Sequence, residues 1–118
     1  MGNFEKGIEL FNKGMFFEAH EEWEELWHST DESPEKHFIQ GMIMVAAAMH
    51  HYKKKEYKGT EKLLGKAIKI LEENKNAKVP VDKEAFLRDT ASFYEGFKSS
   101  TTAGIFPVIK NLSCKEEL

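Results

Sequence analysis

Apolar residues recur at helical spacing along this chain almost without interruption up to about Ser99. The segment Phe16 to Trp27 carries the most information. On a 3.6-residue wheel Phe16, Ala19, Trp23, Leu26 and Trp27 share one arc, and His20 falls inside it. Glu24 lies at the edge of that arc beside Phe17, whereas Glu18, Glu22 and Glu25 point toward solvent. An imidazole set among aromatic rings is expected to be buried and hydrogen-bonded to a side chain, because leaving it unpaired costs about 1–3 kcal/mol. Glu24, Gln40 and His50 are the candidate partners.

Four further helices complete the pattern. Asn3 is placed to cap a first helix with the stripe Phe4, Ile8 and Phe11, ended by Gly14. Ser33 and Pro34 form an N-cap and first-turn pair for a third helix from Glu35 to about Lys54. That helix is apolar nearly all round (Phe38, Met42, Val45, Ala46 and Met49 among others), which places it in the middle of a bundle. A fourth helix, Tyr57 to about Glu73, buries Leu63, Leu64, Ala67, Ile68 and Leu71. Asn74 to Lys78 reads as a surface loop, and Asp82 caps a fifth helix bearing Phe86, Thr90, Phe93, Tyr94 and Phe97.

The expected fold is therefore all-α: two antiparallel helical hairpins plus one helix in a single bundle over residues 1–99. An irregular, extended C-terminal tail over 100–118 docks on it through the β-prone run Ile105 to Ile109. A weak internal repeat supports the hairpin reading, since the run from Phe11 to Ala19 parallels that from Tyr52 to Thr60. In each, one aromatic closes a helix and another opens the next across a tight turn. This is the grammar of tetratricopeptide hairpins, but two units are too few for a solenoid, which needs about three.

Composition narrows the function classes. A chain of 118 residues with 41% hydrophobic and 31% charged residues is an ordinary globular domain. Its net charge of −3 argues against a nucleic-acid partner. The longest apolar run, Gly41 to Met49, is far short of a membrane span, which takes about 20 residues. A lone Cys114 and an N-terminus lacking an apolar signal region point to a cytoplasmic protein. Lys53 to Lys55 with Lys58, Lys62, Lys66 and Lys69 make a basic stripe, read first as a solvated face.

The chemistry rests on few side chains. His20 and Glu24 at i,i+4 share a face, and His50 could add a third metal ligand. Antiparallel packing of the second and third helices sets His50 about a turn beyond the level of His20. A hydrogen bond between His20 and a carboxylate satisfies both groups without an ion, so no metal is expected there. Neither a His-Glu-x-x-His pair nor two Glu-x-x-His motifs are present. Cys114 has no nearby histidine, and no glycine-rich phosphate loop precedes Lys66.

Gly14, Phe16, Phe17, Glu18, His20, Glu21, Glu24 and Trp27 together resemble the hallmark of the bacterial and archaeal family called domain of unknown function 309. A second block is met by Gln40, Gly41, Ile43, Ala46, Ala47, Ala48 and His50, and a third by Tyr57, Leu63, Leu64 and Ala67. The resemblance spans most of residues 4 to 98 and implies an all-helical fold without implying an activity. An Arg-Gly-Asn turn common in the family reads Lys55-Glu56-Tyr57 here.

Three functional readings follow. The leading one is a pocket formed by His20, Glu21, Glu24, Trp27, Gln40 and His50 that binds a small molecule or a partner protein element; no cofactor or oligomeric state is specified. The second is a metal-dependent hydrolase with His20, Glu24 and His50 as ligands and Glu21 as base. The third is a protein-interaction module that uses its hairpin grooves.

Overall fold

Ser33 and Asp82 both cap helices as their sequence context predicts: Ser33 Oγ accepts from Lys36 N at 3.2 Å, and Asp82 Oδ1 from Ala85 N at 3.1 Å. In this computed structural model, residues 2–99, 107 and 109 are described. Five helices follow in order: α1 (Gly2–Asn12), α2 (Phe16–His28), α3 (Pro34–Lys53), α4 (Tyr57–Glu73) and α5 (Lys83–Lys98). None of the described residues forms a β-strand. No described helix is long and apolar enough to cross a membrane.

Each helix packs on its successor, so α3 lies between α2 and α4. Its apolar circumference serves both neighbours: Phe38, Met42, Val45, Ala46 and Met49 are at most 1% exposed. Trp23 of α2 fills the space against α1, donating from Nε1 to Phe4 O at 3.1 Å, and its ring meets Phe11 at 5.8 Å. Phe11 in turn meets Phe86 of α5 edge-on at 6.0 Å, tying the fifth helix to the first.

The internal repeat is present in the backbone. Gly14 and Lys55, 41 residues apart in sequence, both take left-handed conformations, with φ of 83° and 64°. Around them the same two hydrogen bonds close each helix. Met15 N reaches Leu10 O and Glu56 N reaches His51 O, both at 2.9 Å; Gly14 N reaches Phe11 O at 3.0 Å and Lys55 N reaches Tyr52 O at 2.9 Å. These are paired Schellman turns.

Two local expectations are corrected. Asn3 lies inside α1 and does not cap it; its amide donates to Glu22 Oε1 at 2.9 Å and Glu25 Oε1 at 2.7 Å on α2. The segment after α4 is not simply a surface loop. Ala77, Val79 and Val81 alternate into the core at 1%, 5% and 0% exposure, and Lys78 N is bound by Glu35 Oε2 at 2.7 Å.

Most of the 100–118 tail, Cys114 included, lies outside the described residues. Pro107 and Ile109 are both buried. Asn12 brackets the backbone of Ile109: its Oδ1 accepts from Ile109 N at 2.9 Å and its Nδ2 donates to Ile109 O at 2.8 Å.

Candidate functional site

The short loop over residues 29–33 sets α2 running antiparallel to α3, and the register brings Phe17 level with His50. Phe17 stands at the outer shoulder of α2, 46% exposed. Its ring stacks on His20 with centroids 6.1 Å apart and planes at 18°, and meets His50 at 5.3 Å and 42°. Two imidazoles thus touch one exposed benzene ring. His50 sits about a turn beyond His20, as the antiparallel register requires.

His20 departs from expectation. Its side chain is 24% exposed, Nε2 is 3.9 Å from Glu24 Oε2, and Nδ1 is enclosed with no hydrogen-bond partner among the described residues. A separation of 3.9 Å is an ion-pair distance and too long for a hydrogen bond. The reason lies in the helix wheel. The buried arc of α2 is centred between Ala19, Trp23 and Phe16, and His20 lies roughly 70° from that centre at 100° per residue. It is a shoulder residue and not a core one.

The other expected site residues are spread along the same helix pair. Glu21 is exposed and Glu24 is half exposed. Trp27 is partly buried, its Nε1 is enclosed with no partner among the described residues, and Lys36 Nζ stands 4.4 Å from its ring centroid, a cation–π contact. Gln40 is partly exposed and hydrogen-bonds to none of the others. Among the described residues no three His, Cys, Asp or Glu side chains gather in an arrangement that could hold a metal. The trio His20, Glu24 and His50 is therefore not assembled, and the hydrolase reading lacks its ligand set.

What the geometry does assemble is a groove of about 620 Å³ where the α1–α2 turn meets the end of α3. Met15 and Phe17 give it an apolar wall, 42% and 46% exposed. Glu18, His50, Lys53 and Lys54 supply its polar rim. Lys53 Nζ donates to Gly14 O at 3.1 Å, which pins the end of α3 to the turn. Lys54 Nζ lies 3.9 Å from Glu56 Oε2 on the next turn.

Beside the groove is a pair that sequence reasoning missed. His51 Nδ1 donates to Glu56 Oε1 at 2.6 Å across the α3–α4 turn, and His51 also meets the His50 ring at 6.3 Å. The His51 hydrogen bond, aided by the charges of Lys54 and the neighbouring imidazoles against a desolvation cost, holds the Glu56 carboxyl below its ordinary value. The i,i+5 spacing of these two residues matches no regular helical contact; it spans the turn in which Lys55 is left-handed. A second cleft of about 580 Å³ opens between the end of α4 and the start of α5; it carries mixed charge (Glu72, Lys75, Asp82, Arg88) and no imidazole.

Comparison with known proteins places this site within a recognised sequence block. The model of a family described as "Domain of unknown function (DUF309)" matches residues 4–63, which takes in the groove and all six expected site residues. The match stops short of Leu64 and Ala67. The uncharacterized protein YpuF of Bacillus subtilis (strain 168) is 29% identical over 65 residues, 55% of this chain. The matched stretch spans 37% of that relative's length.

Proposed function

Because the chain belongs to the family of domain of unknown function 309, whose name assigns no activity, we propose a role from the site itself: the Phe17 groove binds a partner element that carries an apolar side chain next to an acidic group. The observation that supports this is the exposed Phe17 ring flanked by two imidazoles, with a second exposed apolar residue, Met15, on the same turn. Large apolar side chains at interface centres contribute most of the binding energy when a polar rim excludes water around them. Lys53, Lys54 and His50 at the rim complement an anion, while Glu18 disfavours a purely acidic ligand. The expected pocket is thereby relocated. Of the six expected residues only His50 lines it; His20 adjoins it through the Phe17 ring, and Glu21, Glu24, Trp27 and Gln40 do not line it.

Selection of a random dodecapeptide phage library on the immobilised protein tests the reading. Enriched sequences should pair an aromatic or aliphatic residue with a nearby Asp or Glu. Phe17→Ser should weaken their binding roughly tenfold or more, the loss expected of an interface anchor. Lys54→Glu should weaken it in a salt-dependent manner. Peptides that bind Phe17→Ser as well as wild type would count against the site.

A further inference from the structure

Three imidazoles meet at the Phe17 end of the bundle, and each is engaged differently. His51 Nδ1 is tied to Glu56 Oε1 at 2.6 Å, and a Cβ on Gly59 would stand 3.4 Å from the His51 ring. His20 has Nε2 at ion-pair distance from Glu24, and its enclosed Nδ1 meets no partner among the described residues. His50 is the imidazole that lines the groove. It is partly exposed, meets the rings of Phe17 and His51, and its own ring hydrogen-bonds to no described residue.

The charges that face His50 are nearly balanced. Lys53 and Lys54 share its helix end, Glu18 faces it from α2, and Glu56 follows on the turn into α4. His20 lies across the Phe17 ring and His51 beside it. With neutral imidazoles the two lysines are matched by the two carboxylates. Both lysines are also engaged already, Lys53 Nζ with Gly14 O and Lys54 Nζ with Glu56. The groove then has little net attraction for an anion. One proton on His50 tips the balance to positive, beside the apolar wall, since the ring centroids of His50 and Phe17 are 5.3 Å apart.

We propose that His50 is the group by which the groove recognises its partner's carboxylate, so that binding is coupled to protonation of His50, tight in mild acid and weak in alkali. This rests on the reading of the groove given above and names its regulation. Imidazole is the side chain that changes charge between about pH 5 and 8, whereas an aspartate on the partner stays ionised above about pH 4. Tight binding occupies the window between those two ionisations. A cation added at a partly exposed rim is worth up to about fivefold in affinity.

The test uses the full chain and two probes. N-acetyl-Ser-Asp-Phe-Ser-amide carries one carboxylate beside one benzyl group, and N-acetyl-Ser-Asn-Phe-Ser-amide is its uncharged counterpart. Affinities come from shifts in ¹⁵N-correlated spectra at about pH 5.5 and about pH 8, either side of the imidazole ionisation. The Asp probe should bind wild type about fivefold more tightly at the lower pH, and the Asn probe should change by less than about twofold. His50→Gln should hold the Asp probe at its weaker affinity at both pH values. His50→Lys, a permanent cation at that position, should hold it near the stronger one. His20→Gln should keep the pH response. Asp-probe binding that is lost in Phe17→Ser but equal at both pH values overturns this inference and leaves the groove standing. A pH response that survives His50→Gln also overturns it. Binding of neither probe at up to about 5 mM, or binding indifferent to Phe17→Ser, overturns the groove reading and this inference with it.

Discussion

Gly7 and Trp23 compete for one volume. A Cβ on Gly7 would lie 2.1 Å from Trp23 Nε1, inside a contact where the indole is fully buried and bonded to Phe4 O. In an exposed helix Gly→Ala adds about 1 kcal/mol of stability. Here Gly7→Ala should cost about 2–4 kcal/mol instead, from overpacking and the strained Trp23 hydrogen bond. Thermal denaturation followed by circular dichroism should show Tm lowered by about 10 °C. A variant as stable as wild type would mean that Trp23 is not seated against α1.

The paired turns give opposite expectations for similar backbone positions. Lys55 adopts φ of 64° with a Cβ, which costs about 1–2 kcal/mol relative to glycine. Glycine's extra freedom in the unfolded chain takes back about 0.4–1 kcal/mol. Lys55→Gly should therefore raise stability by about 0.5–1 kcal/mol, and Gly14→Ala should lower it by a similar amount. Urea unfolding midpoints with unchanged slopes would measure both.

These cases mark what was legible in the chain. The starts of α3 and α5 are readable because Ser33, Pro34 and Asp82 announce them through local chemistry, and the central place of α3 follows from its apolar circumference. Asn3 was misread because its partners, Glu22 and Glu25, are distant in sequence, and nothing local reveals them. The burial of Val79 and Val81 was hidden in a short polar stretch where alternation spans only Ala77 to Val81. His20 reads from the wheel as a buried, hydrogen-bonded residue but lies on the shoulder of α2. Its depth depends on how closely α1 and α3 wrap that side, which a wheel does not encode. The Phe17 groove escaped because its two walls belong to a turn and to the last turn of α3.

Thr90 is fully buried and its Oγ1 has no hydrogen-bond partner among the described residues. Valine has nearly the same shape without the hydroxyl, and removing an unsatisfied buried polar group is stabilising. Thr90→Val should raise stability by about 1 kcal/mol, whereas Thr90→Ser keeps the hydroxyl, loses the methyl and should lower it by about as much. Chemical denaturation of the two variants side by side separates the methyl from the hydroxyl.

The enclosed Nδ1 of His20 gives a similar sign with a different consequence. His20→Leu removes the unpaired nitrogen and should leave stability unchanged or raise it by up to about 1 kcal/mol. It also removes the imidazole stacked on Phe17, so binding of the phage-selected peptides should fall. A variant that is stable and binds normally would assign His20 to packing alone. One that loses stability would show that the nitrogen has a partner in solution.

The last expectation concerns acid. Glu56 has a folded-state pKa below its ordinary value, mainly because it accepts the His51 hydrogen bond, and Glu35 is lowered chiefly by the backbone N–H of Lys78. A depressed carboxylate pKa contributes stability that is complete above the unfolded value of about 4.3 and is lost as pH falls through the folded value. Both groups are solvent-exposed, so the contribution of each is screened and small. Glu56→Gln and Glu35→Gln should each lower Tm at pH 7, with the difference from wild type shrinking below about pH 4 and vanishing once the wild-type carboxyl is protonated. The Glu56→Gln deficit should also shrink in about 1 M salt, where Lys54 and the imidazoles are screened, while the Glu35 deficit, set by a backbone N–H, should change less. Glu61→Gln on the outer face of α4, whose carboxylate pairs with no described residue, is the control. A Glu56→Gln deficit that persists at pH 2 would show that the side chain acts through packing and not through its charge.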